Sequence, residues 1–235
     1  MRLYYMTTLE TLEKYILPSL RVRVSTFDTV NDPFELLGAR QTCPNNRRRF
    51  ADLYKHWVGT LGFVSFSDNW KSPLMWGHYA QNHTGVCLGI EIPDERVWKV
   101  NYQRERLEAL LHRPFSESVV DGDLIKQVVT TKFEDWAYER EWRYMEDLDY
   151  KDPDTGLYYV NFSPEFELRE IIAGARCNRK LKKIREQVFG NTGEIKVFQV
   201  RAAFGSFSMV RQRLHETLTI EPFHKVKGLG SGKRR

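Results

Sequence analysis

At 235 residues, with 41% hydrophobic and 29% charged residues, the chain has the balance of a globular protein and enough apolar mass for a large core. No apolar run reaches the length of a membrane span, and the N-terminal MRLYYMTTLE carries no apolar signal region, so the sequence predicts a cytoplasmic protein with no membrane partner. The net charge of +5 does not choose between a solvated basic surface and attraction of a polyanion.

Taken in chain order, Leu3–Met6 reads as a strand. Thr7-Thr8-Leu9-Glu10 then supplies hydroxyl caps and an early carboxylate for a helix that runs to Leu17 and is closed by Pro18. Leu20–Ser25 alternates as a half-buried strand does, Val22 and Val24 on one face and Arg21 and Arg23 on the other. Asn31-Asp32-Pro33-Phe34-Glu35 combines an Asx-type turn former, a proline and an aromatic anchor. Residues 39–49 read as an exposed basic insertion, and Phe50–Val58 as a short amphipathic helix with His56 and Trp57.

Phe63–Ile92 is the richest stretch. It predicts a strand ending in Ser65-Phe66-Ser67, a polar turn closed by Pro73, a helical segment dense in aromatic and histidine side chains, and a second strand from Val86. Trp70, Trp76, His78, Tyr79 and His83 crowd together there as in a pocket wall. Beyond it, Trp98–Tyr102 predicts a strand, and Arg104–Arg113 and Asp123–Phe133 predict helices. Trp142–Met145 is strand-like. Tyr158–Phe162, Leu168–Gly174, Ile195–Val200 and Thr217–Ile220 complete the strands, with a basic helix over Asn178–Phe189. The order does not repeat as βαβ units. The predicted class is therefore α+β, with a mixed, largely antiparallel sheet core and flanking helices, as one domain over residues 1–227 and a flexible basic tail over 228–235.

Phosphate-binding, dinucleotide, paired CxxC, HExxH and GxSxG signatures are all missing. Cys43, Cys87 and Cys177 are odd in number and widely spaced, which fits ordinary thiols in a reducing compartment. No metal is expected, because His78 and His83 do not share a helical face. Glu139-Arg140-Glu141, if extended, points both carboxylates to one face, where one can hold a substrate hydroxyl and the other deprotonate an acceptor. A glutamate pair bridged to Arg140 and Arg143 on the surface accounts for the same pattern.

NDPFE at 31–35, SFS at 65–67, LMWGHYAQNHTGVC at 74–87 and KFEDWAYEREWR at 132–143 resemble a widespread bacterial family known only as a domain of unknown function, over Leu3 to about Gly174. The layout of an aromatic first strand, a serine-bearing central strand and a late strand opened by E-x-E is similar to the ADP-ribosyltransferase fold. SFSDNWKSPLMW also resembles a stretch of the DarT-type enzymes that modify DNA. That resemblance implies cleavage of NAD between ribose and nicotinamide and transfer of ADP-ribose to a nucleic acid acceptor, RNA or DNA, by a toxin or phage-defence enzyme with a cognate antitoxin. It assigns Tyr4 and Arg2 to the adenine-side ribose or pyrophosphate, Ser65 and Ser67 to support of the glutamate, and Trp76 or Tyr79 to nicotinamide stacking. Glu141 becomes the catalytic carboxylate and Glu139 its acceptor-side partner, with His78 able to bond phosphate or acceptor. Two alternatives remain: a non-catalytic nucleic-acid or nucleotide-binding module, and an NAD-independent nuclease or glycohydrolase using Glu141 and His78.

Overall fold

A computed structural model describes residues 1–30, 32, 34, 37–40, 44–107, 122–189 and 193–222. The fold is α+β, a mixed and mostly antiparallel sheet with a few helices. Its contacts form two compact units. The first comprises Met1–Val22, Phe66–Asp94 and Asn161–Arg235, the second Arg23–Ser65 and Glu95–Val160.

In the first unit, β1 (Arg2–Thr7) pairs antiparallel with β4 (Val86–Glu91), from Arg2 opposite Glu91 to Thr7 opposite Val86. Val86 to Ile90 are all buried, so β4 reads as a continuous apolar run because both its faces are covered. On its other side β4 pairs antiparallel with β10 (Glu167–Ala173), which runs parallel to β11 (Ile195–Ala202). The edge is closed by β12 (Met209–Arg211) and β13 (Leu218–Ile220), both antiparallel to β11. Trp76, Ala80, Cys87, Ile172, Phe198, Val200 and Met209 form one apolar cluster of this unit, with Tyr4, Met6 and Trp70 packed against it.

Thr8 caps the predicted first helix, its Oγ1 accepting from the Thr11 amide at 2.9 Å. The helix is α1 (Leu9–Thr11), a π turn (Leu12–Ile16) and α2 (Leu17–Ser19). Pro18 does not end it. The helix runs one residue past it and stops at Leu20, which takes a left-handed φ of 51° before β2 (Arg21–Thr26).

Between α4 (Pro73–Tyr79) and β4 the backbone turns through three successive left-handed residues, Gln81, Asn82 and His83, at φ 49°, 53° and 70°. Gly85 and Gly174 let the strands close on this turn: a Cβ on Gly85 would lie 2.3 Å from the Thr7 carbonyl oxygen, and one on Gly174 2.2 Å from that of His83. The His83 carbonyl also accepts the Arg176 amide at 3.0 Å. The central aromatic stretch is thus bound to the sheet through backbone.

In the second unit, the first residues of β3 (Leu61–Ser67) pair with β2, Ser25 opposite Phe63 and Thr26 opposite Gly62. β5 (Val97–Lys99) pairs antiparallel with β8 (Glu141–Asp147), which also pairs with β3. β6 (Asn101–Gln103) and β7 (Thr131–Phe133) run parallel in a separate two-stranded sheet. Phe27, Ala39, Trp57, Phe63, Val128 and Val129 make the core beneath α3 (Pro44–Thr60) and α5 (Gly122–Val129). The last strand, β9 (Tyr158–Asn161), lies where predicted.

Several boundaries differ from the sequence reading. The supposed basic insertion contains buried Ala39, bridged to Leu107, and from Pro44 it is already helix. The single strand expected over Trp98–Tyr102 breaks at buried Val100, whose amide donates to the Glu141 carbonyl at 3.0 Å. The helix expected to reach Phe133 ends at Val129, because the Thr130 and Thr131 hydroxyls capture the carbonyls of Lys126 and Gln127 at 2.6 and 2.7 Å. The basic helix near the C-terminus shortens to α6 (Leu181–Arg185). Asp32 Oδ1 accepts the Phe34 amide at 2.9 Å, the Asx-type turn expected there. Residues 104–107, where the sequence predicts the start of a helix, are not helical, and Leu107 bridges Ala39 instead. Asn31, Pro33 and Glu35, residues 108–113 of that predicted helix, and the tail at 228–235 lie outside the described residues.

Gly85→Ala and Gly174→Ala should each destabilise the chain by about 2–3 kcal/mol, since backbone must move to admit the methyl group. Gly59→Ala, with nothing within 4 Å of the added carbon, should be neutral or gain up to about 1 kcal/mol in helix α3. Denaturant unfolding of the three variants checks the contrast.

Candidate functional site

The E-x-E segment is not an extended run. Residues Glu134–Glu139 form a 3-10 turn, Arg140 takes a left-handed φ of 49° with its amide on the Ala137 carbonyl, and only Glu141 begins β8. The two carboxylates converge for another reason: Lys132, in the middle of β7, places its Nζ 2.6 Å from Glu139 Oε2 and 3.1 Å from Glu141 Oε2. The chain reverses over the 3-10 turn between them. Lys132 is itself buried, and its ammonium lies 4.9 Å from the centre of the Trp136 ring.

Glu141 is 2% exposed and receives four side-chain donors. Oε1 accepts from Ser65 Oγ at 2.6 Å and Arg143 Nε at 2.9 Å; Oε2 accepts from Lys132 Nζ at 3.1 Å and Arg143 Nη2 at 3.3 Å. Its acceptor capacity is filled. Burial opposes ionisation, but the charges of Arg143 and Lys132 and the hydrogen bonds from Arg143 and Ser65 prevail, holding the carboxyl down at about 2. Burial likewise opposes the Lys132 ammonium, and the two carboxylates outweigh it, raising its pKa.

Arg143 is 0% exposed, donates to the Val129 carbonyl at 2.5 Å and lies 4.5 Å from the centre of the Phe63 ring. Tyr102 completes the surroundings. Its hydroxyl accepts the Glu141 amide at 2.7 Å, and burial pushes the phenol up to about 12. All these residues belong to the second unit. A cavity of about 310 Å³ in the same unit has Lys132 in its wall, with Asp32, Phe34, Arg106 and Phe133 among its other residues.

Of the donors to Glu141, only Ser65 belongs to an exposed residue. Ser65 is therefore the one donor whose replacement by a ligand hydroxyl would leave the buried cations in place. The centre is an ionised, desolvated carboxylate held by fixed cations and by one neutral hydroxyl donor.

The structure brings Ser65 to Glu141, and Glu139 to the same ammonium. The other predicted residues lie in the first unit. Arg2 is engaged by Glu91 at 3.0 Å and Glu170 at 3.1 Å. Tyr4 stands opposite Ser67 in the sheet, and burial, with Glu170 adding to it, raises its phenol to about 12. Ser67 is 1% exposed and shapes the turn that follows β3, its Oγ accepting from the Asn69 amide at 3.2 Å. Trp76 is 0% exposed and its Nε1 donates to the Trp70 carbonyl at 2.6 Å, so it offers no ring face for stacking. Tyr79 is half-buried and His78 exposed, their ring centres 6.2 Å apart. Cys87 and Cys177 are free buried thiols. Among the described residues no group of three or more His, Cys, Asp or Glu could hold a metal ion, and no helix is long and apolar enough to cross a membrane.

Lys132 and Tyr102 went unselected in the sequence. Arg143 carried a usable signal, since two residues after Glu141 on a strand puts both side chains on one face. For Lys132 the signal was weaker: a lysine between Thr131 and Phe133, with the glutamates seven and nine positions on, comes into reach only because of the intervening turn.

Compared with known proteins, residues 75–144 match a family described as a protein of unknown function (DUF2971). Those residues include Met75–Cys87 and all of KFEDWAYEREWR, while NDPFE and SFS lie outside them. No curated protein and no solved structure matches the chain.

Lys132→Ala should cost roughly 3–5 kcal/mol, because it leaves a buried carboxylate pair without its shared cation. Acid should act on the same cluster. The folded pKa of Glu141, about 2, lies below its ordinary 4.5, so its contribution is fully present above about pH 4.5 and is lost as pH falls through 2. Unfolding free energies measured at steps from pH 6 to pH 2 should fall by on the order of 3 kcal/mol more in wild type than in a Glu141→Gln variant.

Proposed function

We propose that the chain is an NAD-dependent ADP-ribosyltransferase of toxin or phage-defence type, acting in the cytoplasm on a nucleic acid acceptor, with Glu141 as its catalytic carboxylate. The observation that carries this reading is the 2.6 Å bond from Ser65, on β3, to Glu141, at the head of β8. It is the serine-to-glutamate support that the resemblance implies. A second support is the ionised state of Glu141, which the reaction needs.

In this reaction the bond between ribose C1′ and the nicotinamide nitrogen breaks. Its electron pair leaves with nicotinamide, and positive charge grows on the ribose. Glu141 accepts a hydrogen bond from a ribose hydroxyl in the place of Ser65 and opposes that charge. The acceptor forms the new bond to C1′ and releases its proton to Glu139, the acceptor-side carboxylate beside Lys132. Ser65 acts as a positioning residue. A toxin of this kind would also have a cognate antitoxin as partner.

One observation favours a second reading. Four donors on Glu141 also suit a purely structural ion cluster, and the chain would then be a nucleotide- or nucleic-acid-binding module without catalysis.

Nicotinamide release from NAD, followed with and without RNA, DNA and protein, separates the two. Glu141→Gln should abolish release, and Ser65→Ala, which removes only the hydroxyl that the ribose displaces, should shift KM while leaving kcat within about tenfold. Ser65→Ala is the more telling variant, because the loss of one exposed hydroxyl leaves the buried cations paired. Wild-type protein that releases no nicotinamide under any of these conditions gives the second reading preference.

A further inference from the structure

The hairpin joining β11 to β12 ends in Ala203-Phe204-Gly205-Ser206-Phe207-Ser208, and both phenylalanines stand in solvent, exposed 95% and 102%. Exposed apolar rings on a hairpin tip bury no surface and so add little to the fold. The loop is nevertheless well held. Ala203 N donates to the Ser208 carbonyl at 2.9 Å, and Met209 N to the Lys71 carbonyl at 2.8 Å.

A cation lies on one of these rings, and the strands that carry them are basic. From Ile195 to His215 the sequence has no Asp or Glu, but it has Lys196, Arg201, Arg211 and Arg213. The Arg201 guanidinium lies 4.2 Å from the centre of the Phe204 ring, that of Arg211 5.5 Å from Phe198, and Lys71 Nζ 5.8 Å from Trp70. Arg201 is opposite Val210 and Arg211 opposite Val200, so the two arginines flank the ribbon on opposite faces. Neither forms an ion pair among the described residues.

We propose that this hairpin tip is a binding platform for single-stranded nucleic acid, with bases stacking on Phe204 and Phe207 and a phosphate on Arg201. It deepens the acceptor side of the proposed reaction and rests on that reading only for the use made of the bound strand. Unpaired bases stack on aromatic rings in any sequence, and unpaired arginines track the backbone. A duplex hides its base faces, so the rings select single strands. A bilayer is the poorer fit, because Arg201 would carry its charge into the hydrocarbon with Phe204. Two rings separated by glycine and serine are also too small a surface for a stable protein interface.

Fluorescence anisotropy of the full chain with labelled 12-nucleotide single strands of RNA and DNA, the matching duplexes, and phosphatidylserine vesicles tests this. Single strands should bind at least about tenfold tighter than duplexes. The double variant Phe204→Ala/Phe207→Ala should bind them about 30-fold or more weakly, with an unchanged circular dichroism spectrum and Tm. Arg201→Gln should lower the slope of log affinity against log salt by about one unit. Wild-type protein that ignores single strands, a double variant that binds as wild type, or a preference for vesicles would each overturn the proposal. The readout needs no NAD: binding without nicotinamide release leaves this platform standing and removes the transferase, whereas release with binding unaffected by the double variant does the reverse.

Discussion

Two cations and two carboxylates buried together constrain the second unit more than any other feature. Lys132, Glu139, Glu141 and Arg143 are each less than 9% exposed, and each is tolerable there only because the others are present. The cluster draws on β7, the end of the 3-10 turn and the head of β8, with Ser65 from β3 and the Val129 carbonyl at the end of α5 as further partners. Arg143 also lies over Phe63, which packs on Phe27 with ring centres 4.8 Å apart. The ion cluster and the apolar core of this unit are therefore one object. A change that loosens either must alter the charge state or orientation of Glu141.

The first unit is organised by backbone. Its central stretch of histidines and aromatics looks like a pocket lining in the sequence, yet its residues have structural partners: Trp76 on the Trp70 carbonyl, and the His83 carbonyl on the Arg176 amide. The left-handed run at Gln81–His83 and the crowding at Gly85 and Gly174 explain why this segment reads as a motif. Only the small residue fits where two backbones come within touching distance.

Strand identity was legible because the apolar pattern of β1, β3, β4, β10 and β11 follows from burial, and burial follows from side-chain chemistry. Element ends were less so. They depend on single hydrogen bonds, such as those of Thr130 and Thr131, which compete with helix geometry by amounts that composition does not show. In the candidate site, the two glutamates and Ser65 could be selected from residue type and resemblance. The reason they work together could not. The extended E-x-E expected in the sequence is broken by Arg140, and the convergence comes from Lys132, which pattern reading treats as one more surface lysine.

A filled carboxylate can act on a ligand only by releasing a partner, and the four donors are not equal candidates. Arg143 is anchored at the same time by the Val129 carbonyl and the Phe63 ring, so withdrawing it disturbs the core. Lys132 is shared with Glu139, and its departure would leave two charges buried without compensation, at a cost of roughly 3–5 kcal/mol. Ser65 is neutral, exposed and bonded to Glu141 alone in this cluster, and breaking that bond costs about 1.5–3 kcal/mol, which an entering hydroxyl restores on bonding to the same oxygen. The low-cost route to Glu141 therefore runs through the β3 serine, and any substrate hydroxyl that the carboxylate serves must arrive at the position of Ser65 Oγ.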